Sequence, residues 1–136
     1  MRKENFKFNE NINVKELKDQ AREAISIFAP NKNVYRHIPF MNDGLLPTER
    51  RLLYAMYKDV KAFPWQNYKK LGLSMGAAMV YVPHGEVNIY NVAVKLAQPW
   101  RNACVFIDGS GSYGNEMGDG AAAWRYLWSE IKSICI

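Results

Sequence analysis

Proline limits how long any regular element of this chain can be. Between Pro30 and Pro47 the stretch PNKNVYRHIPFMNDGLLP carries three prolines and an Asp43-Gly44 pair. Each proline removes a backbone donor and biases the residue before it away from helix, so the stretch reads as an ordered connector or a linker. Ahead of it, NVKELKDQAREAISIFA, from Asn13 to Ala29, places Val14, Leu17, Ala21, Ala24, Ile25 and Phe28 at spacings of three and four. That period predicts an amphipathic helix, with Asn13 able to cap it, Glu16 placed as in a capping box, and an end before Pro30.

After Pro47, which suits a first helical position, TERRLLYAMYKDVKAF puts Leu52, Leu53, Met56, Val60 and Phe63 on one face of a second helix. Arg50 and Arg51 fall in its first turn, where cations oppose the helix dipole at a cost of about 0.3 to 1 kcal/mol each. Either Glu49 and solvent compensate them or an anion docks there. WQNYKKLGLSMGAAMVYV predicts a third, shorter helix. HGEVNIYNVAVKLAQPW predicts a fourth that ends at Pro99, with Val87, Tyr90, Val94 and Ala97 as its apolar stripe. A strand follows at Cys104 to Ile107, then the glycine-rich loop DGSGSYGNEMGDG. The expected fold is mainly α with a small β wing: a helix-turn-helix with an appended wing.

At 136 residues the chain is long enough for one hydrophobic core. No apolar run approaches the roughly 20 residues that span a bilayer, and the first residues lack the apolar stretch of a secretory signal, so a cytoplasmic location is expected. Cys104 and Cys135 have no metal or disulfide spacing and read as reduced packing residues. A net charge of +5 favours a polyanionic partner but does not specify one.

The sharpest chemistry is Arg125-Tyr126 in GDGAAAWRYLWSE. A tyrosine hydroxyl, with a pKa of about 10, becomes a useful nucleophile only beside cations or a base. An adjacent arginine, always charged and able to hold two phosphate oxygens, favours the phenolate and steadies a phosphoryl transition state. The dipeptide is nevertheless common, and taken alone it reads as a tyrosine packed at a domain edge beside a solvated arginine. His84, in VPHGE, suits a phosphate contact, an acid or base, or a quiet place in a turn. The glycine loop has neither the P-loop pattern nor the dinucleotide-binding one. Asp43, Asp108 and Asp119 are too scattered for a metal triad, so no metal site is expected in the chain. Lys69-Lys70 beside Tyr68 and Trp65 suits a nucleic-acid backbone or a solvated helix end.

Taken together and in order, RHIPFMNDGLLPTERRLLYAMY, YKK, PHGEVNIYNVAVKLAQPW and IDGSGSYGNEMGDGAAAWRYLWSEI resemble the start of the breakage-reunion subunit of bacterial type IIA topoisomerases, the A subunits of DNA gyrase and topoisomerase IV. The resemblance runs from about Asp19 to the end of the chain. It implies a winged-helix DNA cleavage domain over residues 34–136, preceded by an arm and helix over residues 1–33. The tyrosine of the family's AA-x-RY motif, here Tyr126, would be the nucleophile, with Arg125 and Arg36 on the transferring phosphate. Arg50, Arg51, Lys69, Lys70 and His84 would hold the DNA backbone.

The resemblance also implies two partners, double-stranded DNA and a B-type subunit that binds ATP and metal. Mg²⁺ and ATP would sit on that subunit rather than on this chain, and the full-length protein would be a homodimer. Four positions depart from the family pattern: Val82 stands for the first histidine of a His-Pro-His-Gly-Asp motif, Glu86 for its acid, Leu46 for a lysine, and Glu49 for a histidine before the double arginine. They imply a divergent, phage- or prophage-type version. The tower, coiled coil and dimer gate that follow the tyrosine in the family are absent, so a fragment of this length is expected to be inactive alone. The alternative is a non-catalytic winged-helix remnant that binds DNA or a partner.

Overall fold

The computed structural model describes residues 16–83 and 85–133. Contacts divide the chain into two units, Met1–Tyr35 and Arg36–Ile136. In the first, helix α1 spans Leu17–Lys32 with Glu16 as its N-cap, and the amides of Asp19 and Gln20 donate to the Glu16 carbonyl at 3.0 and 3.1 Å.

Two expectations are corrected here. Pro30 lies inside the helix, which continues into a π-helical turn, Asn33–His37. A proline removes its own amide bond, but no glycine follows it to turn the chain out of the helix. The apolar stripe is also not a core face: α1 has no buried residue, and Leu17, Ile25 and Phe28 are mostly exposed. Periodicity shows that one face is apolar, not what covers it. Asn13 and Val14 lie outside the described residues.

The second unit begins with a tight turn in which Gly44, at φ +66°, donates its amide to the Phe40 carbonyl (2.8 Å) while Asp43 Oδ1 accepts from the Leu45 amide (3.1 Å). Helix α2, Pro47–Ala55, opens on its proline as expected and runs on as a π-helical turn, Met56–Val60. Leu52, Ala55 and Met56 are fully buried, with Leu53 and Val60 at the edge of the core, while the half-buried Phe63 packs instead on Tyr57 and Trp65. Lys69–Lys70 form strand β1, not part of a third helix. The difference is tertiary: each lysine finds a ladder partner, Ser129 or Trp128, that no local propensity encodes. Helix α3 follows at Leu71–Met79.

Helix α4, Glu86–Ala97, ends at Gln98, just before Pro99. Its buried residues are Ile89, Ala93 and Leu96, while Val87 is mostly exposed and Tyr90, Val94 and Ala97 are only partly covered. The helix is apolar over much of its circumference, so packing against α2, α3 and strand β2 selects the inward stripe. Strand β2 is Ile107–Ser110 rather than Cys104–Ile107, and it pairs antiparallel with β3, Trp128–Ile131. The ladder starts where Ile107 meets Ile131; upstream, the Phe106 carbonyl accepts from the Lys132 amide (3.0 Å).

The sheet order is β1-β3-β2. Helix, strand, helix, helix, strand, long loop and strand in this arrangement make a winged helix, mainly α with a small β wing, as the sequence predicts. Leu52, Met56, Leu71, Ile89, Leu96, Ile107 and Leu127 are fully buried at the junction of helices and sheet. Each contributes about 1.5 to 3 kcal/mol of apolar burial.

Candidate active site

Arg125 and Tyr126 lie in a single 3-10 turn, Trp124–Tyr126, where the wing loop returns to the sheet at β3. Tyr126 is 64% exposed, and the Arg125 guanidinium carbon stands 5.0 Å from the centre of its ring. The tyrosine therefore points its chemistry outward with a cation against its π face. Such exposure would suit a loose loop, but the backbone around it is tied on both sides.

Upstream, the Tyr90 hydroxyl of α4 donates to the Ala122 carbonyl (2.8 Å), with the Ala121 carbonyl at 3.3 Å, and the Ala122 amide donates to Ser112 O (2.9 Å). Within the turn, the Tyr126 amide donates to Ala123 O (2.9 Å) and the Leu127 amide to Trp124 O (3.2 Å). Downstream, Leu127 is fully buried and its carbonyl accepts the Leu71 amide at the start of α3 (2.9 Å). One residue on, the Trp128 carbonyl accepts from the Tyr113 hydroxyl (2.8 Å). Trp124 packs so closely on α3 that a Cβ at Gly72 would stand 2.8 Å from its ring. Only glycine leaves room for that ring.

Lys70, Gly72, Leu73, Trp124 and Arg125 line a shallow pocket of about 230 Å³ beside the turn. The Lys70 ammonium lies 5.6 Å from the centre of the Trp128 ring, so its position is held by cross-strand packing rather than by an acid. The structure thus gathers Lys70 and Arg125 on one pocket beside the Trp124–Tyr126 turn. Lys69, its neighbour on β1, is half-buried opposite Ser129.

The remaining candidates are placed differently. Arg50 is held by Asp43 at 2.6 Å and by the Phe40 ring at 3.9 Å, and its Nε is buried without a partner among the described residues. Its counter-charge therefore comes from the protein itself. Glu49 is buried; its carboxylate accepts the Leu46 amide (2.9 Å) and pairs with Lys95 (3.2 Å), which is the glutamate half of a capping box. Arg51 is exposed, as is Arg36 in the π-helical turn that follows α1. Among the described residues, no hydrogen bond, ion pair or ring contact joins Arg36, Arg50 or Arg51 to the Tyr126 turn. His84 lies outside the described residues.

Sequence reasoning missed the supports. Tyr90 reads as one more apolar position of α4, and Gln98 as the polar end of that helix, yet Gln98 is buried and donates through Nε2 to the Tyr113 carbonyl (2.7 Å). Tyr113 was legible in principle: an aromatic among glycines suggests a ring that needs bare backbone beneath it. A Cβ at Gly109 would overlap that ring. Burial pushes the Tyr113 phenol well above its ordinary value, with a smaller contribution from Tyr90, so it stays a proton donor.

Residues 36–136 match the family model that describes the A subunits of DNA gyrase and topoisomerase IV. The chain is 35% identical over 126 residues to the DNA gyrase A subunits of two Staphylococcus aureus strains, MRSA252 and Mu50. Each match covers 92% of this chain and 14% of the relative, so the chain spans only that small share of the relatives' length. Among the described residues no helix is long and apolar enough to cross a membrane.

Proposed function

The chain belongs to the family of DNA gyrase and topoisomerase IV A subunits, and we propose that it is the DNA cleavage and religation domain of a type IIA topoisomerase. The observation that carries this reading is an exposed Tyr126 with Arg125 on its ring, set on a turn anchored to both α3 and α4. An exposed phenol on a fixed backbone is what attack on a large, rigid substrate requires.

In the proposed reaction the Tyr126 oxygen attacks a phosphodiester phosphorus. A phosphorus–oxygen bond forms to the tyrosine as the bond to the 3′ oxygen breaks. The proton given up by the phenol is taken up, through solvent, by the 3′ oxygen, which leaves as a hydroxyl. Because one phosphodiester replaces another, the 5′-phosphotyrosine retains the bond energy and reversal reseals the strand. Arg125 and Arg36 steady the charge on the non-bridging oxygens. Arg50, Arg51, Lys69, Lys70 and His84 hold the backbone, which gives salt-sensitive affinity with little base specificity.

The partners of the proposal are double-stranded DNA, a B-type subunit that supplies Mg²⁺ and ATP, and a second copy of the full-length protein, all in the cytoplasm. Strand passage needs moving gates, so the domain over residues 34–136 is proposed to be inactive alone.

A second reading, a winged-helix module that binds DNA or a partner without cutting, is favoured by one observation. Val82 and Glu49, which replace titratable family residues, are both buried in packing or pairing roles. One assay separates the two readings. The full-length protein carrying this chain, mixed with a B-type subunit, Mg²⁺ and supercoiled plasmid, is denatured and the 5′ ends are assayed for bound protein. The first reading expects an adduct that Tyr126→Phe abolishes; an equal yield from that variant, or no adduct from either, rejects it.

A further inference from the structure

Four residues before Tyr126 and two after it, the backbone accepts a hydrogen bond from a tyrosine hydroxyl. Tyr90 reaches Ala122 O at 2.8 Å from α4, and Tyr113 reaches Trp128 O at 2.8 Å from the wing loop. Both donors are themselves fixed. Tyr90 belongs to a helix packed against α2, α3 and β2. Tyr113 is buried, lies over Gly109 where a Cβ would overlap its ring, and has its carbonyl held by the buried Gln98 amide at 2.7 Å.

Without these two hydroxyls, the segment between Ala122 and Trp128 would still be held by its internal turn, by the buried Leu127 with its carbonyl on the Leu71 amide, by the Ala122 amide on Ser112 O and by the ladder at Trp128. Its two flanking carbonyls, however, would lose their tethers to the helical body and to the wing. We propose that Tyr90 and Tyr113 are positioning residues for the cleavage reaction, two phenol clamps that set where the Trp124–Tyr126 turn presents the Tyr126 hydroxyl. The proposal rests on the reading of Tyr126 as the nucleophile.

The chemistry explains why tyrosine is used twice. A phenol is a donor at the end of a rigid ring with few rotatable bonds, so it fixes a carbonyl several ångströms from its own backbone at little entropic cost. Each clamp hydroxyl is engaged with a backbone carbonyl of the Tyr126 segment, so on this proposal neither is spent on substrate. Their removal should therefore slow formation of the covalent bond without weakening the hold on DNA. Misplacement of a reacting group by about 1 Å costs up to about a hundredfold in rate.

The test uses Tyr90→Phe and Tyr113→Phe, which keep the rings and delete only the hydroxyls. Tyr54→Phe is the control: it also deletes a phenol hydroxyl, but on a ring of α2 that meets Tyr81 (5.4 Å between centroids) and the Lys58 ammonium (5.2 Å) rather than the Tyr126 segment. In the full-length protein with a B-type subunit, the single-turnover rate of adduct formation should fall by about tenfold to a hundredfold in each clamp variant. DNA affinity should stay within about twofold of wild type, so that the loss lies in the chemical step.

Amide hydrogen exchange at Tyr126 and Leu127, whose N–H groups close the turn, should quicken in the clamp variants and stay unchanged in Tyr54→Phe. Clamp variants that behave as the control does, or that lose DNA affinity in step with rate, overturn the proposal. A wild-type protein that forms no adduct overturns the reading of Tyr126 instead; the clamps are then judged by exchange, and unchanged exchange in both variants overturns them as well.

Discussion

At position 49 the family resemblance leads one to expect a histidine facing DNA, and the structure instead gives the glutamate there an internal task. Its carboxylate ties the Leu46 amide at the start of α2 and pairs with Lys95 of α4, so one side chain joins two helices. Glu49→Ala removes a largely buried acceptor and should destabilise the fold by about 1 to 3 kcal/mol, measured as a shift in denaturant midpoint. The same change should leave adduct formation by the molecules that remain folded near wild type, because no bond links Glu49 to the Tyr126 turn. The substitution thus swaps a titratable contact for a structural one, which a residue-by-residue comparison records only as a loss. Arg125-Tyr126, by contrast, was legible in the sequence, where an ordered set of motifs points to the pair. What the sequence did not contain was the exposure of Tyr126 or the anchoring of its backbone, since both depend on residues such as Tyr90 and Tyr113 that lie 13 or more positions away.

At the scale of the wing, the ladder places Asp108 directly opposite Glu130. With strand order β1-β3-β2, the bond from Tyr68, next to β1, to Asp108 on β2 crosses the central strand at Glu130 and covers it. Burial, with Asp108 as the smaller cause, raises the Glu130 carboxyl above its ordinary value of 4.5. A carboxyl raised on folding binds its proton more tightly in the folded chain. Its contribution therefore favours folding at low pH and is lost as pH rises from 4.5 through the raised value. Glu130→Gln should raise the thermal midpoint at neutral pH, and the gain should shrink as pH falls through the raised value toward 4.5. A gain independent of pH would show that Asp108 and burial do not act on this carboxyl. The sequence predicted a strand and a loop here but located the strand three residues early, because a strand begins where a partner exists and β3 was not foreseen.

Over the whole molecule, a charge of +5 is distributed unevenly in its availability. Arg51 is exposed, Lys70 shares a pocket with Arg125, and Arg50 is paired with Asp43 at 2.6 Å. On duplex DNA, Arg51→Ala and Lys70→Ala should each reduce the slope of log affinity against log salt by about 1, the effect of one lost phosphate contact. Arg50→Ala should reduce it by less; an equal reduction would mean that the Asp43 pair opens on DNA. By itself the sequence determined the class of fold and the order of helices and wing, because apolar period and turn residues are local properties of the chain, and its contiguous motifs singled out Arg125-Tyr126 as the candidate pair. Only the tertiary structure decided which stripe of α4 faces inward, that Lys69-Lys70 is a strand, that Arg50 pairs with Asp43, and that distant tyrosines hold the turn of Tyr126. Each of those depends on which surfaces meet, and burial, pairing and hydrogen-bond partners exist only once they do.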